Sequence, residues 1–229
     1  MIEFLFLDLD DTIFDFHKAE RVALSRTIQD FGVEPTEEIL TLYHKINKWH
    51  WQQLELGKIT RERLLVERFG VLFQQLGHPV DPESCARVYE KNLSTGHWYL
   101  PGAEQALQSL KKTYKLYLVS NGTARVQHGR MKSANLYQYF EDIFISQEIG
   151  VNKPDKRFFD ACFARVPGFA PEKSLMVGDS LTSDIQGGIN AGIKTVWVNP
   201  AHQKADAIVP DYEIEGIWQL EGLIKEKKM

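Results

Sequence analysis

The sequence predicts an α/β protein whose core is a doubly wound, Rossmann-like parallel sheet, with an all-helical segment inserted after the first strand. Three observations support this prediction. The chain starts with a short apolar run, continues with a long stretch of helical pattern, and then alternates helices with short apolar strands. Strands that are separated by helices need crossover connections, and such connections place the strands parallel in one sheet.

The first strand is predicted at residues 4–9, FLFLDL, because this apolar run has no helix cap and ends in acidic residues. Residues 19–94 show helical spacing and no convincing strand. Turn-forming residues break this pattern at 32–35, 57–58 and 77–79. We therefore expect an α/β core formed by 1–15 and 95–229, and a helical cap domain formed by 16–94.

After Pro101 and Gly102 the chain alternates regularly between the two kinds of element. Helices are predicted at residues 102–112, 124–135, 155–165, 182–190 and 217–227. Strands are predicted at residues 116–120, 143–146, 175–179 and 195–199. Together with the first strand, these segments make up the expected parallel sheet.

The composition limits the classes of function. The 229 residues are 43% hydrophobic, and 27 Lys and Arg against 31 Asp and Glu leave a net charge of −4. No basic surface for a nucleic acid polymer is therefore expected. Cys85 and Cys162 are expected to be reduced thiols. The start, MIEFLFLDLDD, lacks a basic segment and reaches Asp8 too early for a signal peptide or membrane span. We expect a cytoplasmic monomer or small homo-oligomer that does not bind membranes.

Polar residues follow the ends of several predicted strands. Ligands of an open parallel sheet bind at the carboxyl ends of its strands, where loops and helix N-termini meet. The residues expected at this edge are Asp8, Asp10, Thr12, Ser120, Asn121, Gly122, Lys153 and Asp179. The sequence therefore predicts one site that combines carboxylates, a hydroxyl group, amides and an ammonium group.

Asp8 and Asp10 are the central pair of this site. Residues two apart on an extended chain point the same way and lie about 7 Å apart, so both carboxylates can address one reacting group. A solvated strand end or an acidic turn is the alternative for these residues alone. A calcium loop starting at Asp8 is excluded, because its sixth position is Ile13 and its twelfth is Ala19. The seven histidines show no pair at metal-binding spacing.

Four motifs, DLDDT, VSNG, the lysine of NKPDKRFF, and GDSLTSD, occur in the order found in the haloacid dehalogenase-like (HAD) phosphatases. The chain resembles this family over nearly its whole length, and the helical insertion resembles the family's first type of cap domain. The resemblance implies that Asp8 is the nucleophile that forms an aspartyl-phosphate. It also implies that Asp10 protonates the leaving group and then acts as base, with a side chain free for protons.

The same resemblance implies roles for the other loops. Ser120 and the N–H groups around Asn121 and Gly122 would hold phosphoryl oxygens, and Lys153 would neutralise their charge.

The metal implied is Mg²⁺, with Mn²⁺ as a substitute, held by Asp8, the Asp10 carbonyl and Asp179. Asp184 would orient a metal-bound water or Lys153, or be only the N-terminal acid of a helix. Thr12 is expected to cap the turn after the first strand.

The cap should select the substrate. Trp49 and Trp51 are candidates for stacking on a base, although at least one of them is expected in packing, and Phe14 and Phe16 are alternative walls. The stretches INKWHWQQLELGKIT, ISQEIGVNKPDKRFFD and LMVGDSLTSDIQGGINAG resemble the HAD-type pyrimidine 5′-nucleotidases. The resemblance implies a pyrimidine nucleoside monophosphate as substrate.

Three alternatives stay open at this point. The first is a phosphatase that acts on another small phosphate, such as a sugar phosphate or phosphoglycolate. A phosphomutase would keep both aspartates and return the phosphoryl group to a sugar. An inactive or phospho-accepting binding module would have no need for the full set of nucleophile, acid, lysine and metal ligands.

Overall fold

The computed structural model describes residues 1–205 and 207–229. In this part of the chain one sheet is formed by six parallel strands in the order β3-β2-β1-β4-β5-β6. The strands are Phe4–Leu7 (β1), Lys115–Ser120 (β2), Asp142–Ile145 (β3), Ser174–Gly178 (β4), Lys194–Val198 (β5) and Tyr212–Ile214 (β6). The strand order reverses between β1 and β4, which is where a ligand crevice opens in a doubly wound sheet.

The central strand β1 explains why the first apolar run is continuous. Phe4 and Phe6 pack into one hydrophobic cluster, and Leu5 and Leu7 pack into another on the opposite face of the sheet. Side chains alternate between the two faces of a strand, so a strand that is covered on both sides needs apolar residues at every position. The doubly wound fold predicted from the sequence is confirmed.

Within the described ranges, four helices form the inserted segment and six lie around the sheet. The inserted helices are Phe16–Asp30 (α1), Glu37–Glu55 (α2), Arg61–Gln75 (α3) and Pro82–Leu93 (α4). The others are Ala103–Leu110 (α5), Ala124–Ser133 (α6), Ser146–Ile149 (α7), Lys156–Phe163 (α8), Gln186–Ala191 (α9) and Leu220–Glu226 (α10).

Each inserted helix begins at a residue whose side chain accepts a hydrogen bond from the first turn. These residues are Asp15, Thr36, Thr60 and Asp81. Such caps satisfy N–H groups that have no partner within the helix. Gly57, just beyond α2, has a φ of 67°, a conformation that favours glycine and ends the helix. Local sequence therefore defines where these helices start and stop.

The inserted helices share their own hydrophobic cluster, which includes Leu24, Tyr43, Phe69 and Tyr89. The two chain segments that join them to the sheet run side by side. Phe14 and Tyr99 form an antiparallel bridge, and the Asp15 N–H donates to the carbonyl of Trp98 at 2.8 Å. This arrangement supports a division into core 1–15 with 95–229 and cap 16–94, and the division itself stays a prediction.

Some element boundaries differ from the prediction. The first strand ends at Leu7, because the chain turns at Asp11 with a φ of 56°. The predicted helix 182–190 begins as a π-helical turn at Leu181–Ile185, and the predicted helix 217–227 begins as a 3₁₀ turn. Strand β6 was missed, because a three-residue edge strand leaves too short a pattern in the sequence.

Cys85 and Cys162 are buried free thiols, as expected. Over the described residues, the structure contains no helix with the length and apolar character needed to span a membrane.

Candidate active site

A cavity of about 260 Å³ opens at the carboxyl ends of β1, β2 and β4, beneath the inserted helices. Eight of the nine predicted site residues line it. They are Asp8, Asp10, Ser120, Asn121, Gly122, Lys153, Asp179 and Asp184. The sheet topology thus brings together residues that the sequence places in four separate loops. Thr12, the ninth, lies at a second cavity on the other side of the β1 loop.

The buried Lys153 joins three parts of the sheet edge. Its Nζ donates to Asp8 Oδ1 at 2.7 Å, to Asp184 Oδ1 at 2.7 Å and to the carbonyl of Val119 at 2.8 Å. All three ammonium donors therefore have acceptors. Asp184 also accepts the N–H of Ser180 at 3.1 Å, so its carboxylate holds Lys153 in place.

The loop after β2 is tied to the loop of Lys153. The Asn121 side chain donates to the carbonyl of Lys153 at 2.9 Å and accepts from the N–H of Lys153 at 2.8 Å. Ser120 Oγ accepts from the Gly122 N–H at 3.1 Å and from Gln127 Nε2 at 2.9 Å. The Ser120 hydroxyl and the Asn121 amide therefore shape the loop that borders the cavity.

The Asp10 side chain is not free, which corrects the prediction. Its Oδ2 accepts from Gln127 Nε2 at 2.7 Å, and its Oδ1 is bound by the guanidinium of Arg130. The sequence analysis missed both partners. Gln127 and Arg130 lie three residues apart on helix α6, so they share one face of the helix with the buried Met131. Two polar residues on an apolar face were the signal that could have predicted buried partners.

Thr12 does not cap the turn after β1. Its hydroxyl is buried and has no hydrogen-bond partner among the described residues. The neighbouring Asp11 takes that role, since its Oδ1 accepts the N–H of Phe16 at 2.9 Å. A carboxylate reaches further than a threonine hydroxyl, so Asp11 can bond across the turn to the first residue of α1.

Three carboxylates form a cluster that fits a divalent cation. Oxygens of Asp8, Asp179 and Asp184 lie within 4.8 Å of one another. Burial raises the pKa of Asp8 to about 8 against the attraction of Lys153, and the charges of Asp184 and Asp10 add to the rise. Burial and the same surplus of negative charge raise the pKa of Asp179 well above its usual value.

Lys153 cannot balance this charge alone. Burial by itself would lower its pKa, but Asp184 and Asp8 outweigh that effect and raise it. The group therefore pairs one ammonium with three carboxylates. Oxygen donors with excess negative charge are what Mg²⁺ prefers, and a divalent ion there would lower the pKa of the carboxyl groups that hold it.

A second cluster was not expected from the sequence. His17, Glu20 and His44 bring potential metal-ligand atoms together in the inserted helices. Helix packing creates this pair of histidines, which are 27 residues apart. Both Glu20 oxygens are already engaged, with His44 Nδ1 at 2.7 Å and with Asn47 Nδ2 at 2.6 Å.

The wall of the cavity opposite the sheet is supplied mainly by the inserted helices. The residues are Phe16, Trp51, Glu55, Leu65, Arg68, Glu90 and Leu93. Trp51 is thus placed to meet a ligand, whereas Trp49 is 53% exposed to solvent. Of the two alternative walls, Phe16 lines the cavity. Phe14 does not, because it is fully buried against Tyr99.

Gly178 at the end of β4 allows the close approach of Asp184. A methyl group at this position would overlap the Asp184 carboxylate. We expect Gly178→Ala to lower the free energy of unfolding by about 1–3 kcal/mol, because an overpacked site must shift its neighbours. Urea denaturation measures this change.

Gly222→Ala is the matched control, since nothing lies within 4 Å of an added methyl group there and Gly222 is an exposed helical residue. We expect that variant to be more stable than the parent by about 0.5–1 kcal/mol. Equal stability of Gly178→Ala and the parent protein would contradict the crowding at β4.

The fold and the site define the class of protein. The haloacid dehalogenase-like hydrolase family matches residues 5–198. The chain belongs to this family of enzymes, as the four motifs predicted.

Individual relatives are similar over almost their whole length. The chain is 40% identical to "Pyrimidine 5'-nucleotidase PynA" of Streptococcus pneumoniae over 93% of this chain and 90% of the relative. It is 32% identical to "Pyrimidine 5'-nucleotidase YjjG" of Escherichia coli over 97% of each.

Solved structures have the same fold. The crystal structure of YfnB from Bacillus subtilis, bound to magnesium, superposes with a TM-score of 0.93 at 36% identity, covering 97% of this chain and 98% of YfnB. L-2-haloacid dehalogenase from Xanthobacter autotrophicus has a TM-score of 0.79 at 19% identity, over 98% of this chain and 99% of that one. The second similarity concerns the fold alone.

Proposed function

We propose that the protein is a Mg²⁺-dependent phosphomonoester hydrolase that acts on pyrimidine nucleoside 5′-monophosphates through an aspartyl-phosphate. The observation that carries the proposal is the set of buried Asp8, Lys153 and Asp184 with half-buried Asp179 at the floor of a cavity that Asp10 also lines. This set combines a nucleophile, a fixed cation and oxygen ligands within one enclosed space.

Asp8 attacks the phosphorus through Oδ2, since its Oδ1 is engaged by Lys153. The new bond joins this oxygen to phosphorus while the bond between phosphorus and the ester oxygen breaks. Asp10 gives its proton to the departing alkoxide. Asp10 then takes a proton from a water molecule that attacks the phosphorus of the aspartyl-phosphate, which frees Asp8 and releases phosphate.

Gln127 and Arg130 add a constraint to this scheme. They hold the Asp10 carboxylate against helix α6, and Arg130 is itself held by a 2.6 Å bond from Nε to the carbonyl of Gly96. We propose that Asp10 moves away from Arg130 toward the ester oxygen in order to deliver its proton.

The metal completes the charge balance. We propose that Asp8 and Asp179, together with the carbonyl of Asp10, hold Mg²⁺, which would offset the negative charge of the phosphoryl group. Asp184 belongs to the same carboxylate cluster, and its bond to Lys153 supports the orienting role. Magnesium bound to the related YfnB supports the choice of ion. Mn²⁺ as a substitute stays a prediction.

The cap side of the cavity supports a nucleotide substrate. Trp51 offers a flat apolar face, while Arg68 and Glu90 offer a donor and an acceptor for the edge of a base. The names of PynA and YjjG support pyrimidine nucleotides over sugar phosphates. A cytoplasmic location and a monomer or small homo-oligomer stay predictions from the sequence.

A substrate screen tests the proposal. With Mg²⁺ present, we expect phosphate release from uridine, cytidine and thymidine 5′-monophosphates to exceed release from sugar phosphates and phosphoglycolate by at least about tenfold in kcat/KM. Purine monophosphates serve as the matched control, because they carry the same sugar and phosphate on a larger base. Preference for a sugar phosphate, or phosphoryl return to a sugar, would contradict the nucleotidase proposal.

A further inference from the structure

Arg61 belongs to the inserted helices, and its side chain contacts the loops at the carboxyl end of the sheet. It is the first residue of helix α3, yet only 8% of its surface is exposed. Its Nη1 donates to the carbonyls of Asn121 at 2.8 Å and Gly122 at 3.0 Å. Its Nη2 donates to Ser146 Oγ at 2.6 Å and Asn152 Oδ1 at 2.5 Å.

This guanidinium forms no ion pair, and the only opposite charge acting on it among the described residues is that of its chain neighbour Glu62. All four groups that accept its hydrogen bonds, two backbone carbonyls, a hydroxyl and an amide oxygen, are neutral. Burial lowers the pKa of Arg61, but a guanidinium stays protonated in proteins. A buried charge is costly unless an opposite charge compensates it. A bound phosphoryl dianion on the other side of the loop would provide that compensation.

Arg61 also orients the loop after β2. Across a trans peptide plane, a carbonyl and the following N–H point in opposite directions. Arg61 holds the carbonyls of Asn121 and Gly122, so the N–H groups of Gly122 and Thr123 point away from it, toward Ser120 Oγ in the case of Gly122. Both residues line the cavity. Hydrogen bonds to a cation polarise these peptide groups and make their N–H groups stronger donors.

From this geometry we infer that Arg61 is a positioning residue of the cap, which gives the Asn121–Thr123 loop its phosphate-holding form when the cap is docked. The inference rests on the proposed phosphatase function and extends it, because it makes a residue outside the cavity part of phosphate affinity. The loop is then complete only when helix α3 lies against it. Cap docking and phosphate binding therefore favour one another.

A second cap-to-core bond offers a control. Thr182 Oγ1 donates to Glu55 Oε2 at 2.9 Å, and this bond also joins the cap to the sheet edge. It does not involve the Asn121–Thr123 loop. This bond is exposed to solvent, so Thr182→Val should cost little docking free energy, and it removes no donor to the loop carbonyls.

The experiment compares the parent protein with Arg61→Gln, Arg61→Lys and Thr182→Val. The inhibition constant of inorganic phosphate is measured with para-nitrophenyl phosphate as substrate. We expect Arg61→Gln to weaken phosphate inhibition by about 10- to 100-fold, with KM raised and kcat lowered, since bonds to a charged donor are lost. Arg61→Lys should lose nearly as much, because an ammonium on a single stem cannot bind four separated acceptors.

Thr182→Val should keep its phosphate inhibition constant within about twofold of the parent value. Phosphate inhibition unchanged in either Arg61 variant, or an equal loss in Thr182→Val, would overturn the positioning role. If Arg61→Gln does not fold, Ser146→Ala is used in its place to test the positioning role. It removes one acceptor of Arg61 and should weaken phosphate inhibition severalfold. A parent protein that hydrolyses no phosphomonoester would instead contradict the proposed function.

Discussion

Asp8→Asn is expected to abolish phosphate release, with kcat lowered by about 10⁴-fold or more, as removal of a catalytic nucleophile does in other enzymes. An amide is a very poor nucleophile compared with a carboxylate, so no aspartyl-phosphate can form. The fold should survive, because the amide oxygen can still accept a bond from Lys153, as Asp8 Oδ1 does at 2.7 Å. Phosphate release from an aryl phosphate in the presence of Mg²⁺ is the measurement.

Asp11→Asn is the matched control for this variant. Asp11 lies three residues after Asp8 in the same loop, and its Oδ1 accepts the N–H of Phe16. Asparagine keeps that acceptor, so activity should fall by less than about tenfold.

Trapping of the intermediate is a second test of the nucleophile. Parent enzyme that is quenched with acid during turnover should carry a phosphoryl group on the peptide that contains Asp8. Retained activity in Asp8→Asn, or a phosphoryl group on another peptide, would contradict the assignment of Asp8 as the nucleophile.

Asp10→Asn should cause the second largest loss, and the loss should depend on the leaving group. For a nucleoside monophosphate we expect kcat/KM to fall by about 10²–10⁴-fold, because an alkoxide needs a proton to leave. For para-nitrophenyl phosphate the fall should be much smaller, since para-nitrophenolate leaves without protonation. Steady-state rates of both substrates in the parent and the variant test this difference.

The quantity kcat/KM is the informative one for Asp10. It covers the steps up to formation of the aspartyl-phosphate, whereas kcat also includes the hydrolysis step in which Asp10 acts as base. We therefore expect kcat to fall for both substrates, and kcat/KM to separate them. An equal fall of kcat/KM for the nucleotide and the aryl phosphate would contradict the role of Asp10 as general acid.

Much of the fold was predictable because the signals are local. The apolar run at β1 reflects burial on both faces, and the capping residues before the inserted helices are short-range hydrogen-bond acceptors. The edge strand β6 and the π-helical turn at Leu181–Ile185 were not predictable in this way. Their form depends on pairing with β5 and on the bonds around Asp184, which are tertiary contacts.

The candidate site shows the same division. Sequence alone determined which residues gather at the sheet edge, because parallel strands bring their carboxyl ends together and each strand is followed by polar residues. Asp8, Ser120, Lys153 and Asp179 were therefore predictable as neighbours. The failure of Thr12 as a turn cap shows the limit of this reasoning even within one loop, since Asp11 was the better placed acceptor.

Only the tertiary structure decided what surrounds these residues. Arg130 meets Asp10 across 120 positions of the chain, Lys153 meets Asp8 across 145, and Arg61 meets Asn121 across 60. Periodicity records which face of a helix is buried, but not which atoms a buried polar side chain will contact. The sequence by itself therefore determined the sheet, the insertion and the chemistry at the strand ends. The packing of the inserted helices and of α6 decided how Asp10 is held and which cap residue supports the loop after β2, because both depend on the relative placement of distant elements.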